Sequence, residues 1–427
     1  MGDDIRAGRR SEGALRQIRA AARGPAGPDG ALRQIRAAAR GPAGPDGALR
    51  QIRAAAFTSA TDRFIMPPLL VSLAAGFHVS LAAATLVASA HYLLYGLMQP
   101  VWALASDRLG RVNVIRITLA GTAVAGLLAA VAPNLTAAVV LRALTGAFVG
   151  GLMPATIVYV GETVPFTERS RALERVVGMT TLGTAAATAT AGVLAGLGAW
   201  RVALALPAVL AAVLLVRLRI AEPAREGHTS GAAAFAAIAR RPWAWMVVAL
   251  ALTEGAVVYG SLTFFAAGLE RAGYGAAVAG LAVAAYGVAA WAWTAVLRHT
   301  RRRLSHEARL GLGGALIALG LASCAALGAA GIAAGAVIVG AGFATAHPIL
   351  QAWATDVAPA ARATMIALFA AALFVGGSLA SVGAAGLADD GRFVTLFAIA
   401  AGAACAFAAT AAVARSRYAP SGEPGPP

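Results

Sequence analysis

Twelve runs of about 20 apolar residues follow one another from residue 57 to residue 413, and this pattern constrains the fold more than any other feature of the chain. An α-helix of ~20 residues crosses the ~30 Å hydrocarbon core of a bilayer and satisfies its own backbone hydrogen bonds there. We therefore predict an all-α membrane protein with 12 transmembrane helices. The predicted spans cover residues 57–77, 85–105, 113–132, 135–158, 174–198, 202–220, 244–267, 276–297, 309–328, 331–354, 362–387 and 393–413.

The composition supports this class and argues against others. Hydrophobic residues make up 59% of the chain and charged residues only 13%, about half of the usual charged share. A soluble enzyme or a disordered chain would need far more charged surface. All 35 basic residues are arginines, and they lie between apolar runs rather than on one patch. We therefore predict the lipid bilayer as a partner and no nucleic acid.

The arginines also predict the orientation in the membrane. Beyond residue 56, 19 arginines fall in alternate loops and span ends, whereas the loops on the opposite side hold three: Arg201, Arg271 and Arg392. Because arginine is enriched on the cytoplasmic side, both termini are predicted to be cytoplasmic, in the plasma membrane. The chain is rich in alanine and glycine, and it contains arginine but no lysine. This composition suggests a bacterial, GC-rich coding sequence.

Residues 1–56 form a basic N-terminal extension with a tandem repeat. Residues 14–30 and 31–47 are identical, and residues 48–56 begin a third copy that runs into the first predicted span. Two interpretations are open: an amphipathic arm that touches anionic lipid, or a tolerated extension without fixed structure. We predict the second, a disordered cytoplasmic segment.

The spans divide into two halves with internal similarity. The longest polar break, residues 221–243, is predicted to be a cytoplasmic linker between six-helix bundles at 57–220 and 244–414, and residues 415–427 form a tail. At an offset of 194, matched residues are Gly146 with Gly340, Pro154 with Pro348, Glu162 with Asp356, and Pro165 with Pro359. Two six-helix halves of equal orientation are typical of secondary transporters.

The loop between spans two and three carries a recognisable motif. Residues 103–111 read A-L-A-S-D-R-L-G-R and resemble the G-x-x-x-D-R-x-G-R signature of the major facilitator superfamily, with Ala103 in place of the leading glycine. In span four, Leu141, Arg142 and Gly146 resemble the arginine motif of the drug-efflux branches of that family. The resemblance implies a rocker-switch carrier with a central substrate site. The proline of the efflux branches' span-five motif is missing here, which leaves the direction of transport open.

Charged residues at the predicted cytoplasmic edge are candidates for gating. Gly110 gives the short loop its backbone freedom, and arginines nearby can bridge the carboxylates of Asp107 and Glu162 to hold one conformation closed. The alternative is that these are ordinary solvated loop charges. The predicted gating residues are Asp107, Arg108, Gly110, Arg111, Glu162, Arg169, Asp356 and Arg362.

Ionisable residues inside apolar spans are costly and usually functional. Asp62, Arg142 and Glu254 are candidates for proton coupling, and Asp62 and Glu254 occupy corresponding spans of the two halves. Arg142 either pairs with a carboxylate as a structural element or releases it when the carboxylate is protonated. We expect Glu254 to be the better proton carrier, because it lies about ten residues into its span and Asp62 only about five.

Other polar residues inside the spans are candidates for the substrate cavity: Tyr95, Gln99, Tyr159, Tyr259, His347 and Gln351. No cluster of His, Asp or Cys predicts a catalytic or metal site, and without lysine the chain lacks the phosphate loop of an ATP-driven pump. We predict no enzyme activity and no cofactor. The predicted function is proton-coupled efflux of a small organic molecule by a monomeric secondary transporter. The alternatives are proton-coupled uptake, uniport, or a transport-inactive sensor or scaffold.

Overall fold

A computed structural model describes residues 44–223, 231–300, 304–326 and 328–418, and these residues are almost entirely helical. Sixteen α-helices are present in this part of the chain: α1 Pro45–Phe64, α2 Leu70–Phe77, α3 Leu81–Leu109, α4 Arg111–Ala130, α5 Leu135–Val149, α6 Leu152–Thr163, α7 Phe166–Gly196, α8 Trp200–Arg217, α9 Gly231–Ala239, α10 Pro242–Gly255, α11 Phe265–Arg271, α12 Ala276–Thr300, α13 His306–Ala326, α14 Gly328–Val357, α15 Arg362–Asp389 and α16 Phe393–Arg417. Short 3₁₀ turns at Pro67–Leu69 and Pro359–Ala361 and a π-helical turn at Ala256–Gly260 complete the list.

Eleven helical segments in the described residues are long and apolar enough to cross a membrane, which confirms a multi-pass helical membrane protein. They correspond to predicted spans two to twelve. Two of them combine consecutive helices: α5 continues into α6 at Gly150–Gly151, and α10 continues through the π-helical turn into α11. The first predicted span, residues 57–77, is interrupted and remains a prediction.

The interruption of the first span has a local cause. Pro67 and Pro68 cannot donate backbone hydrogen bonds, so α1 ends at Phe64 and a 3₁₀ turn separates it from α2. At its N-terminal end, α1 begins at Pro45, twelve residues before the predicted first span. The third copy of the repeat is therefore helical from its start, because alanine, leucine, glutamine and arginine favour helix and Pro45 suits a first turn. Residues 14–43 lie outside the described residues.

Of the described residues, 44–50 and Arg219–Ala221 form a small unit, and the larger unit comprises Gln51–Leu218 and the described residues after Ala221. Within the larger unit, glycines let helices from the two predicted halves approach closely. A methyl group on Gly96 of α3 would lie 2.8 Å from the backbone oxygen of Ala371 in α15. Gly192 of α7 and Gly280 of α12 meet in the same way, which is typical of membrane helix pairs.

Candidate functional site

A cavity of about 2360 Å³ lies between helices of the two predicted halves. Its wall includes residues of α1, α3, α6, α7, α9, α12, α14 and α15, and Tyr259 of the π-helical turn. Three exposed charged residues at helix ends mark its opening: Asp107, Arg171 and Arg362. At the opposite ends of α3 and α15 the helices are joined. Asp389 Oδ1 accepts a hydrogen bond from Leu81 N at 2.8 Å, and Ser378 Oγ donates to the Ser89 carbonyl at 2.8 Å. The cavity therefore opens on one side.

The structure places five of the six predicted cavity residues in this wall: Tyr95, Gln99, Tyr259, His347 and Gln351. Tyr159 does not belong to the lining found among the described residues. The helix α6 presents Pro154, Ile157 and Val158 to the cavity, at helical spacing. Tyr159 is turned by about 100° from Val158 and is buried at 4% exposure, so the structure places it outside this lining.

Phenylalanine side chains that we did not predict pack against the predicted tyrosines and histidine in the wall. Tyr259 and Phe374 stack with ring centroids 5.2 Å apart and planes within 8°. Phe374 also meets Tyr95 edge-on at 4.4 Å, and Phe343 stacks on His347 at 4.4 Å. The sequence signal for these rings was weak, because a phenylalanine in an apolar span looks the same whether it faces lipid or a cavity.

Arg63 projects into this aromatic wall. Its guanidinium carbon lies 5.1 Å from the ring centroid of Tyr95, 5.3 Å from that of Phe374 and 5.5 Å from that of Phe64. These are cation–π distances. The side chain is 6% exposed and contributes to the lining of the cavity.

Asp62 and Arg142 form a fully buried ion pair. Arg142 Nη1 donates to Asp62 Oδ1 at 2.8 Å, and Nη2 donates to the Asp62 backbone oxygen at 3.0 Å. His91 of α3 lies beside the pair, with Nε2 3.4 Å from Asp62 Oδ2 and Nδ1 3.3 Å from the Arg142 carbonyl. All three side chains have 0% exposure. Sequence reasoning missed His91, although an imidazole inside an apolar span is itself a signal.

Glu254 and His347 form a second buried pair, and this one reaches the cavity. Glu254 Oε2 lies 2.9 Å from His347 Nδ1, with the carboxylate side chain fully buried and the imidazole 20% exposed. No hydrogen-bond partner for Glu254 Oε1 is present among the described residues. The pair lies where α10 changes into a π-helical turn, a local distortion that often marks functional sites. His347 thus lies between the buried carboxylate of Glu254 and the cavity.

The sequence predicted that Glu254 lies deeper in its span than Asp62, but the two carboxylates are equally buried in the structure. Asp62 is 0% exposed and Glu254 is 1% exposed, because α1 begins well before the apolar run and carries Asp62 into the interior. The two carboxylates differ instead in the charge of the side chains they contact. Asp62 faces a permanent cation, Arg142, whereas Glu254 faces an imidazole, whose charge depends on protonation.

Arg111 links the carboxylates at the mouth of the cavity. Its Nη1 donates to Asp107 Oδ1 at 2.7 Å and its Nη2 to Glu162 Oε1 at 2.9 Å. Glu222, from the predicted linker, accepts hydrogen bonds from the backbone N–H groups of Arg111 and Val112 at 2.5 and 2.9 Å. A carboxylate there complements the N-terminus of α4.

Gly110 is required at this junction for two reasons. Its backbone has φ +94° and ψ 156°, a conformation that is nearly restricted to glycine. A methyl group at this position would also lie 2.6 Å from Glu222 Oε1. The motif glycine therefore makes room for the carboxylate that caps α4.

The remaining predicted gating residues lie near the same side but make other contacts. Asp356 Oδ2 is 3.9 Å from Arg415 Nη2, and the Asp356 backbone oxygen accepts a hydrogen bond from Tyr418 at 3.2 Å. Arg169 Nη2 lies 3.5 Å from the Val164 carbonyl oxygen. Arg108 and Arg362 are exposed and line the mouth of the cavity. No cluster of three or more metal-ligating side chains occurs among the described residues.

The sequence profile of the Major Facilitator Superfamily matches residues 54–381, more than half of the chain. The chain belongs to this superfamily. The resemblance inferred from residues 103–111 is thereby confirmed, and so is the prediction that the protein is a membrane transporter and not an enzyme. No protein with a curated description matches the chain in sequence.

Solved structures of the same fold include several transporters. The nucleoside transporter NupG superposes with a TM-score of 0.72 at 15% identity, covering 86% of this chain and 100% of that one. The xylose transporter XylE from E. coli, in a partially occluded inward-open conformation, gives 0.68 at 16% identity, covering 84% and 96%. A bacterial homologue of the human lysosomal transporter Spinster, inward-facing and unoccupied, gives 0.64 at 17% identity, covering 86% and 95%. At these identities the similarity concerns the fold.

Proposed function

We propose that this member of the superfamily is a proton-coupled secondary transporter that exports a small organic solute across the plasma membrane. The observation that carries the proposal is the Glu254–His347 pair, a buried carboxylate 2.9 Å from an imidazole that reaches the cavity. A carrier must offer its coupling ion and its substrate access to one central site. This pair is a proton site next to that space.

The pair can hold and release a proton without any metal or cofactor. An imidazole changes charge near neutral pH, and it can receive a proton from water in the cavity and pass it to the carboxylate. With the proton bound, Glu254 loses its charge and its attraction for a protonated His347 disappears. The free energy of that change can then bias α10 against α14, the helices that carry the two residues.

Alternating access requires the open side of the cavity to close and the opposite side to open. If Asp107 lies on the cytoplasmic side, as the arginine distribution predicts, the cavity faces inward. The hydrogen bonds of Asp389 to Leu81 and of Ser378 to Ser89 would then hold the outer side closed. In this proposal the protein acts as a monomer, and its two halves, 57–220 and 244–414, rotate relative to each other around the cavity. The charged residues at the mouth of the cavity, including Asp107 and Arg362, come together when the mouth closes.

The size of the cavity suits an organic solute. Its volume of about 2360 Å³ exceeds the ~300–1,000 Å³ typical of pockets that enclose a drug-sized ligand. The apolar and aromatic wall favours molecules with an apolar body. A drug-like compound or a metabolite fits these properties equally well.

The test is transport by the purified full-length protein in liposomes. Candidate compounds found by comparing cells with and without the protein are offered to vesicles with and without an imposed pH gradient. We expect accumulation that depends on the gradient and moves the solute against the proton flow. Movement of solute together with protons would indicate uptake, movement without response to pH would indicate uniport, and no movement would indicate an inactive relative. Each of these three results rejects proton-coupled export.

A further inference from the structure

We infer that Arg63 binds an anionic group of the transported solute, so that the substrates are small organic anions with an aromatic or apolar body. The inference rests on the proposed function, because it assigns a substrate class to the same cavity. The guanidinium of Arg63 is buried in the cavity wall, and no carboxylate of the described residues forms an ion pair with it.

The position of Arg63 suits a binding residue. It lines the cavity and is 6% exposed. Tyr95, Phe64 and Phe374 surround its guanidinium at 5.1 to 5.5 Å. Aromatic rings stabilise a nearby cation through the charge distribution of the ring, and they offer its N–H groups no oxygen or nitrogen acceptor. The donors at the edge of the group therefore stay available for a ligand.

The nearby carboxylates are engaged elsewhere. Asp62 is adjacent in sequence, but its carboxylate accepts a hydrogen bond from Arg142 and faces His91. Glu254 contacts His347. Among the residues that the structure describes, none accepts a hydrogen bond from Arg63 Nε, although this atom is buried. Arg142 differs at its terminal nitrogens, which donate to the side chain and the backbone of Asp62, although its Nε also has no acceptor among the described residues.

The chemistry of the group and of its surroundings defines the ligand. A guanidinium presents parallel N–H donors that match a carboxylate or a phosphate in a bidentate fashion. The rings of Tyr259 and Phe374, stacked at 5.2 Å, extend the same wall and offer a surface for an aromatic body. A neutral molecule of the same shape would leave the buried charge unpaired, so the site distinguishes anions from neutral analogues.

The test is binding to the full-length protein purified in detergent, measured by isothermal titration calorimetry without any gradient. The probes are 2-naphthoate, 2-naphthyl phosphate and the neutral 2-naphthamide, which share one aromatic body. We expect the wild type to bind at least one of the anions about tenfold more tightly than the amide. In Arg63→Gln this ratio should fall below about twofold, and in Arg63→Lys it should be partly retained. The better of the two anions identifies the headgroup.

The matched control is Arg175→Gln, which removes an exposed arginine from the same cavity wall and should keep the wild-type ratio. Unchanged amide binding shows that Arg63→Gln is folded. If that variant does not fold, the comparison of the wild type with Arg63→Lys decides. Equal binding of anions and amide by the wild type, no binding of either anion, or an unchanged ratio in the Arg63 variants overturns the inference. Loss of proton-driven transport with an intact anion preference would reject the proposed coupling alone.

Discussion

The buried pair of Asp62 and Arg142 leads to an asymmetric prediction about stability. Both side chains are 0% exposed, so removing either one leaves a charge in the interior. Breaking a buried pair costs about 3–5 kcal/mol, whereas replacing both partners with apolar residues is often nearly neutral. We therefore expect the double variant Asp62→Leu/Arg142→Met to be more stable than Asp62→Leu alone.

The two single variants should differ, because the charges they leave behind behave differently. In Asp62→Leu, Arg142 cannot lose its charge and keeps only the backbone acceptor that lies 3.0 Å from Nη2. We expect the full cost of about 3–5 kcal/mol. In Arg142→Met, Asp62 can take up a proton and become neutral beside His91. The cost should then fall to about 2–3 kcal/mol, the range for a buried neutral polar group plus lost packing.

Equilibrium unfolding in mixed micelles with increasing SDS, followed by circular dichroism, gives the free energies for a double-mutant cycle. Because the double variant should be nearly neutral, the single costs of about 3–5 and about 2–3 kcal/mol imply a coupling energy of about 5–8 kcal/mol. The matched control is the buried neutral pair Ser381 and Thr263, whose hydroxyl oxygens are 3.2 Å apart and whose coupling should be about 1 kcal/mol or less. A cost below about 1 kcal/mol for Asp62→Leu, or additive single variants, would refute the reasoning.

Three further predictions concern the loop, the topology and the repeats. Gly110→Ala should lower the free energy of unfolding by about 1–3 kcal/mol in the same assay, because Gly110 has a positive φ and a methyl group there would meet Glu222. Gly161 has open space around it, so Gly161→Ala should leave the free energy of unfolding unchanged. Equal effects of the two substitutions would contradict this prediction. Reporter fusions after residues 80, 134 and 272 should score as external, and fusions after 110, 230 and 415 as internal; the opposite score at 230 would reject the division into six and six. Deleting residues 14–47 should leave expression and transport near normal, and loss of membrane insertion would show that the repeats orient the first span.

Much of the fold could be predicted because a bilayer sets a simple length for apolar helices. The length of an apolar run does not predict where a helix begins outside that run. It therefore placed Asp62 near a membrane edge, although α1 starts at Pro45 and carries Asp62 into the interior. The π-helical turn at Ala256–Gly260 is equally invisible, since a change from one helical hydrogen-bond pattern to another leaves the apolar pattern intact.

The site could be predicted by residue type but not by pairing. Charged residues in apolar spans are rare enough to identify Asp62, Arg142 and Glu254 from sequence. Which carboxylate meets Arg142 depends on how helices far apart in sequence pack. The cap that Glu222 provides for α4 depends on a linker residue reaching the start of that helix. Neither contact has a signature in local sequence.

Substrate accumulation driven by a pH gradient in proteoliposomes with Glu254→Gln tests the central claim most directly. Glutamine keeps the shape of the side chain next to His347 but cannot carry the proton. Glu174→Gln, which neutralises an exposed carboxylate in the same cavity wall, is the control and should transport like the wild type. We predict that Glu254→Gln loses gradient-driven accumulation while it still exchanges labelled for unlabelled substrate. Full pH-driven accumulation by Glu254→Gln would contradict the account and make the pair of Glu254 and His347 a structural element.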